Sequence, residues 1–196
     1  MSNFDCSQVT SCESMFDSCI SLIKLNLGEL DFSLCNNFER MFYGCGKLEK
    51  IDVSHFCTKN STTFEKMFCG CEKLKKADVS KFNSSKCYSI NSMFLDCQNL
   101  TEINMLNWDM NKIELIDQWI SVFTKTNGID CLFYGCKKLN NIKMSSNFSG
   151  INNLEGDESR NIFEGLPQSG TFSWKKGVNC DNLLKFLPVS WNKLME

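Results

Sequence analysis

Histidine is nearly absent from this chain, which carries only His55, and proline is scarce at two. A single imidazole leaves zinc binding and His-based acid–base catalysis little to build on. Neither G-x-S-x-G nor H-E-x-x-H occurs, and GCGK at residues 44–47 lacks phosphate-loop spacing. Two prolines and eleven glycines leave no linker-like or low-complexity segment. Excess charge is missing too: 21 basic and 23 acidic residues give a net −2. That balance argues against a nucleic-acid footprint, so nucleic acid is expected only indirectly, through a protein partner. No apolar run approaches the ~18 residues of a membrane span. The start, MSNFDCSQVTSCESMF, has no basic and apolar leader. As the chain stands, a cytoplasmic protein is expected; as a piece of a longer one, it would belong at the cell surface.

What the chain does have is repetition. MFDSCISLIKLNL starts at Met15, MFYGCGKLEKIDVSHF at Met41, MFCGCEKLKKADVSKF at Met67 and MFLDCQNLTEINMLNW at Met93, each 26 residues after the last. LFYGCKKLNNIKMSSNF follows at Leu132 and a worn copy, IFEGLPQSGTFSW, at Ile162. A fixed period within roughly 20–29 residues, carrying L-x-x-L-x-L, marks a leucine-rich solenoid. Alternation of Ile51 and Val53 with Lys50, Asp52 and Ser54 is strand periodicity. M-F-x-x-C-x-x-L places apolar residues at i, i+1, i+4 and i+7, which predicts a short helix or 3₁₀ turn.

One unit cannot bury its own apolar face; stacked units share a core. The expected architecture is α/β: a solenoid of about six turns, with a parallel sheet on one face and short helices or 3₁₀ turns on the other. Its inward columns are Leu25, Ile51, Ala77, Ile103, Ile142, Phe172 and Leu27, Val53, Val79, Met105, Met144, Trp174. A third holds Phe4, Leu30, Phe56, Phe82 and Trp108. The motif M-F-x-x-C-x-x-L-x-x-I/L-D/N-V/L-S-x-F resembles the BspA-type (DUF285-like) leucine-rich repeat of bacterial and protist surface proteins, from Phe4 to about Trp174. The resemblance implies binding to proteins or surfaces and brings no catalytic residues.

Thirteen cysteines invite a disulfide or metal reading. Cys19, Cys45, Cys71, Cys97 and Cys136 fill one slot in successive units, where a thiol acts as a small buried hydrophobe. The others form no C-x-x-C pair. Reduced, structural thiols are expected, with no metal and no cofactor. Cys57 beside His55 is the one pairing that resembles a thiol nucleophile and base, but no third group orients it. The protein is therefore expected not to be an enzyme.

A single domain, 1–196, is expected: 1–14 as a partial first turn or cap, 15–175 as repeats, and 176–196 as a C-terminal cap. In the cap, Asp181 would N-cap a helix over Asn182–Leu187. Met93 to Leu132 is 39 residues where 26 is the rule, so thirteen are inserted, at about 109–131. There Ile116, Trp119, Ile120 and Phe123 have the spacing of an amphipathic helix. The polar run NNLEGDES, residues 152–159, is expected to be a solvated loop.

The partner expected for such a scaffold is another protein, which the chain would block as an effector or inhibitor; a surface adhesin fragment is the alternative. Outward strand positions supply the candidate contacts Lys24, Lys50, Asp52, Lys76, Asp78, Glu102 and Asn104. Edge aromatics Tyr43, Tyr88 and Tyr134, with Trp119 and Phe123 of the insertion, supply anchors. The insertion is expected to hold the partner while the charged columns orient it. A second copy could stack on the open first turn.

Overall fold

The computed structural model of the chain describes residues 5–28, 30–113, 115–116, 126–144, 162–178 and 180–196. Regular strands are short: β1 (Lys24–Leu25), β2 (Lys50–Ile51), β3 (Glu102–Met105), β4 (Leu115–Ile116), β5 (Thr126–Asn127), β6 (Asn141–Met144), β7 (Thr171–Trp174) and β8 (Asn192–Met195). β1 pairs with β2, and β3-β6-β7-β8 form a second parallel sheet. Registers such as Ile103↔Ile142↔Phe172 keep equivalent residues of successive units side by side. In β3 the alternation is complete: Glu102 and Asn104 are exposed, Ile103 and Met105 buried. The inward columns are buried as expected, except at their ends, where Leu25, Leu30 and Trp174 are only partly covered. Phe4 lies outside the described residues.

The expected helical face is not there. Among the described residues the only α-helix is α1 (Asp181–Leu184), four residues long. The M-F-x-x-C segments are instead ladders of turns. Phe16, Phe42, Phe68, Phe94 and Phe133 donate their N–H groups to the carbonyls of Met41, Met67, Met93, Leu132 and Ile162, one unit further on, at 2.9–3.1 Å. The amides two residues to either side do the same: Arg40 donates to Glu65 and Gly44 to Cys69. Amides in between close local turns, as Met41 N–H does on Phe38 and Cys45 N–H on Phe42.

A helix would commit every amide to its own strand of chain. Here alternate amides leave for the next unit, and the backbone takes a positive φ every fourth residue to allow it. Arg40 and Gly44, Lys66 and Gly70, and Ser92 and Asp96 are such pairs, with φ between 53° and 73°. The helix-like apolar spacing follows from that four-residue rhythm.

The ladder stacks the side chains as well. Phe16, Phe42, Phe68, Phe94, Phe133 and Phe163 form one continuous column, neighbouring rings 5.5–6.1 Å apart and within 18° of parallel. Beside it, Cys45, Cys71, Cys97 and Cys136 donate S–H to the carbonyls of Phe16, Phe42, Phe68 and Phe94 at 3.0–3.1 Å. Burial pushes the Cys45 thiol up to about 11 and those of Cys71 and Cys97 well above their ordinary value. All thirteen cysteines are free, with Cys19, Cys57 and Cys131 only partly buried.

A hydrophilic alkylator should therefore label those three in the native protein and most others only after unfolding. Rapid labelling of Cys71 would contradict the ladder. Cys71→Ser keeps a donor for the Phe42 carbonyl but on a shorter bond, and exchanges a soft apolar atom for a buried hydroxyl. It should lower stability by about 1–2 kcal/mol in a denaturant titration.

Two further expectations are corrected. Ile116 stands in β4, paired antiparallel with β5 (Leu115↔Asn127, Ile116↔Thr126), so it is extended rather than helical. Trp119, Ile120 and Phe123 lie outside the described residues, as does the 152–159 run. At the C-terminal end Cys180, not Asp181, takes the N-cap position, and no side chain caps α1. The edge of β7 is covered not by the helix but by β8, a fourth parallel strand. Leu183, Leu187 and Trp191 are buried, and the Trp191 indole N–H donates to the Pro167 carbonyl at 2.9 Å.

Candidate functional site

The outward side chains of the sheet face form the charged columns expected of them. β1 and β2 set Lys24 against Lys50, and β3 and β6 set Glu102 against Asn141 and Asn104 against Lys143. All are exposed except Asn141 and Lys143, which are half-buried. Asp52 accepts from the N–H and hydroxyl of Ser54, which hold its carboxyl below the usual range. Asp78 accepts the same pair of bonds from Ser80. Each carboxylate thus closes its own turn and leaves its second oxygen outward.

Between β2 and β3 the strand ladder lapses. Residues 76–79 occupy the strand position of the third unit but form no described strand pairing. The Lys75 N–H to Glu49, the Thr101 N–H to Lys75 and the Trp108 indole N–H to the Val79 carbonyl bridge that level instead. A cleft of about 360 Å³ opens over residues 76–78, β3 and β6, lined by Lys76, Ala77, Asp78, Glu102, Ile103, Asn104, Asn141 and Lys143. Ala77 stands where the neighbouring units have Ile51 and Ile103. Lys76 reaches across to Glu102 at 2.6 Å between largely exposed side chains, and Lys143 to Glu196 at 2.7 Å between partly exposed ones. Such exposed pairs contribute little to stability and are free to re-pair with an incoming group.

Four candidates, Lys76, Asp78, Glu102 and Asn104, therefore meet in one place. Lys24, Lys50 and Asp52 lie on the same face one and two units away. The tyrosines do not join them. Tyr43 is half-buried in the turn ladder with the Arg40 guanidinium 4.0 Å above its ring, while Arg40 also donates from Nε and Nη2 to the single oxygen Oδ2 of Asp17. Tyr134 occupies the equivalent place in the fifth unit. Tyr88 is 40% exposed; burial of the rest of it, aided by the charges of Glu39 and Glu65, pushes its hydroxyl up. Trp119 and Phe123 lie outside the described residues.

Sequence spacing missed the Arg40–Asp17–Tyr43 cluster, because 23 residues separate Arg40 from Asp17. Only a known stacking register would have joined them. His55 gives its ring nitrogen to the Leu27 carbonyl at 3.0 Å and lies edge-on to Phe56. Among the described residues no group of three or more His, Cys, Asp or Glu is placed to hold a metal ion, and no helix is long and apolar enough to cross a membrane.

Parallel-stranded repeats, with a polar face and one apolar core cluster among the described residues, define a sheet-rich tandem-repeat protein. More narrowly, the chain belongs to the family described as "Mycoplasma protein of unknown function, DUF285", which matches residues 1–108 and, again, 49–161. Overlapping matches are what an internally repetitive chain produces. No curated protein and no solved structure matches it.

Proposed function

We propose that the chain is a leucine-rich-repeat solenoid of the BspA type, working as a non-enzymatic protein-binding scaffold: an effector or inhibitor that blocks a macromolecular partner. The observation that carries this reading is the cleft itself. Lys76, Asp78, Glu102 and Asn104 converge beside the level where the strand pairing lapses, so mixed charges face outward together in one recess. A partner protein with an extended, mixed-charge segment would complement it. This moves the main contact from the insertion, where sequence spacing puts it, to the sheet face.

Capture of the partner from native lysate of the source cells tests it. Lys50→Glu with Lys76→Glu should slow association about tenfold and change its salt dependence, since exposed charges act mainly on encounter. Deleting residues 112–127 should leave capture intact. Capture that survives the charge reversals and is lost with the deletion would place the site on the insertion. Loss of neither would remove the scaffold reading from this face.

A further inference from the structure

Where later units carry Phe38, Phe64, Ile90 and Ile129, the first has Cys12, and its side chain meets Cys35 of the second unit. The two sulfur atoms lie 2.7 Å apart and both residues are buried. That is closer than two unbonded sulfurs normally sit, and still short of a bond.

The repeat supplies its own comparison. Cys87 occupies the slot of Cys35 two units on, and donates to the Ser89 carbonyl at 3.2 Å as Cys35 does to Asn37 at 3.3 Å. Residue 64, which stands to Cys87 as Cys12 stands to Cys35, is a phenylalanine. Burial pushes the Cys87 thiol up to about 12, whereas the Cys12 S–H beside Cys35 holds that thiol below its ordinary value. Elsewhere in the core, Cys45, Cys71, Cys97 and Cys136 commit their S–H groups to backbone carbonyls. Cys12 and Cys35 differ in having sulfur against sulfur.

We propose that Cys12 and Cys35 form a modification site: a buried dithiol that a hydroperoxide oxidises to a disulfide, tying the first unit to the second. The Cys35 thiolate attacks hydrogen peroxide; the O–O bond breaks, an S–O bond forms, and hydroxide leaves to take the thiol proton as water. The Cys12 sulfur then attacks the sulfenic sulfur; the S–S bond forms, the S–O bond breaks, and the second oxygen leaves as water with the Cys12 proton. Two thiols and one peroxide give one disulfide and two waters. Hydrogen peroxide is scarcely larger than water. Cys6, itself 6% exposed, is close enough to Cys12 and Cys35 for their charges to interact, and local opening of a repeat unit admits a molecule of that size.

The intact protein is treated with hydrogen peroxide, unfolded, blocked with iodoacetamide, digested without reduction and mapped by mass spectrometry. The expected product is one cross-link, Cys12 to Cys35, two hydrogens lighter. The unfolding midpoint should rise by about 5–10 °C and fall back with a dithiol reductant. Cys12→Ala and Cys35→Ala should each abolish both signals, while Cys87→Ala should keep them. If either alanine variant fails to fold, the wild-type map decides alone. Linkage of Cys35 to Cys6, a scramble of linkages, or oxidation confined to Cys57 and other part-exposed thiols would overturn the proposal.

Discussion

Phe68→Ala should destabilise the protein by about 3–5 kcal/mol, the cost of emptying a fully buried aromatic site. Phe68 is 0% exposed and sits 5.5 Å from Phe42 and 5.6 Å from Phe94, nearly parallel to both. Removing it takes a ring from the middle of a six-member column and leaves faces on both neighbours without contact. In a stack where each unit touches only its neighbours, the loss also weakens the coupling between the two halves. Phe16→Ala is the informative comparison. Phe16 is partly covered and meets one ring, that of Phe42, so its loss should cost about 1–2 kcal/mol. Phe68→Leu, which keeps most of the volume, should cost under about 1.5 kcal/mol. Denaturant unfolding of the three variants checks the order; equal losses at Phe16 and Phe68 would contradict a continuous column.

Gly170→Ala should cost about 2–3 kcal/mol by crowding rather than by emptying. A methyl group on Gly170 would lie 2.7 Å from the Asn140 carbonyl oxygen and 2.7 Å from the Trp191 ring, and neither can step aside cheaply. The Gly170 carbonyl accepts from Asn192 N–H at 2.9 Å, so this is where β8 begins its pairing with β7. The variant should therefore loosen β8 first, seen as a shift of Trp191 fluorescence towards that of a solvated indole. Gly46→Ala, whose methyl would meet nothing closer than the Gly70 carbonyl at 3.9 Å, should change stability by under about 0.5 kcal/mol. A Gly170→Ala protein as stable as its parent would mean that β8 does not dock there.

The sheet side of each unit was legible because a period of two fixes which residues face inward, and a constant unit length fixes the register. Ile103, Ile142 and Phe172 fall in one column on both counts. The turn side was not. Apolar residues at i, i+1, i+4 and i+7 serve a helix and a four-residue turn ladder equally well. The residues that decide between them, Arg40, Lys66, Ser92 and Cys131, carry positive φ without being glycine. Nothing in their side chains announces that conformation. The outward columns were legible for the same reason as the inward ones, but the cleft was not, since no residue pattern marks the lapse of pairing at 76–79. Tyr43 reads as an exposed anchor until the local turn sets Arg40 over its ring and stacking brings Asp17 to Arg40.

Amide exchange and backbone NOEs across the Met67–Cys71 turn distinguish a turn ladder from a helix most directly. A ladder between units predicts NOEs from the Phe68 amide to the backbone of Met93, with slow exchange at Lys66, Phe68 and Gly70, whose partners are the carbonyls of Asn91, Met93 and Leu95. A run of i to i+4 contacts from Glu65 to Cys71, with no contact to Met93, would contradict it.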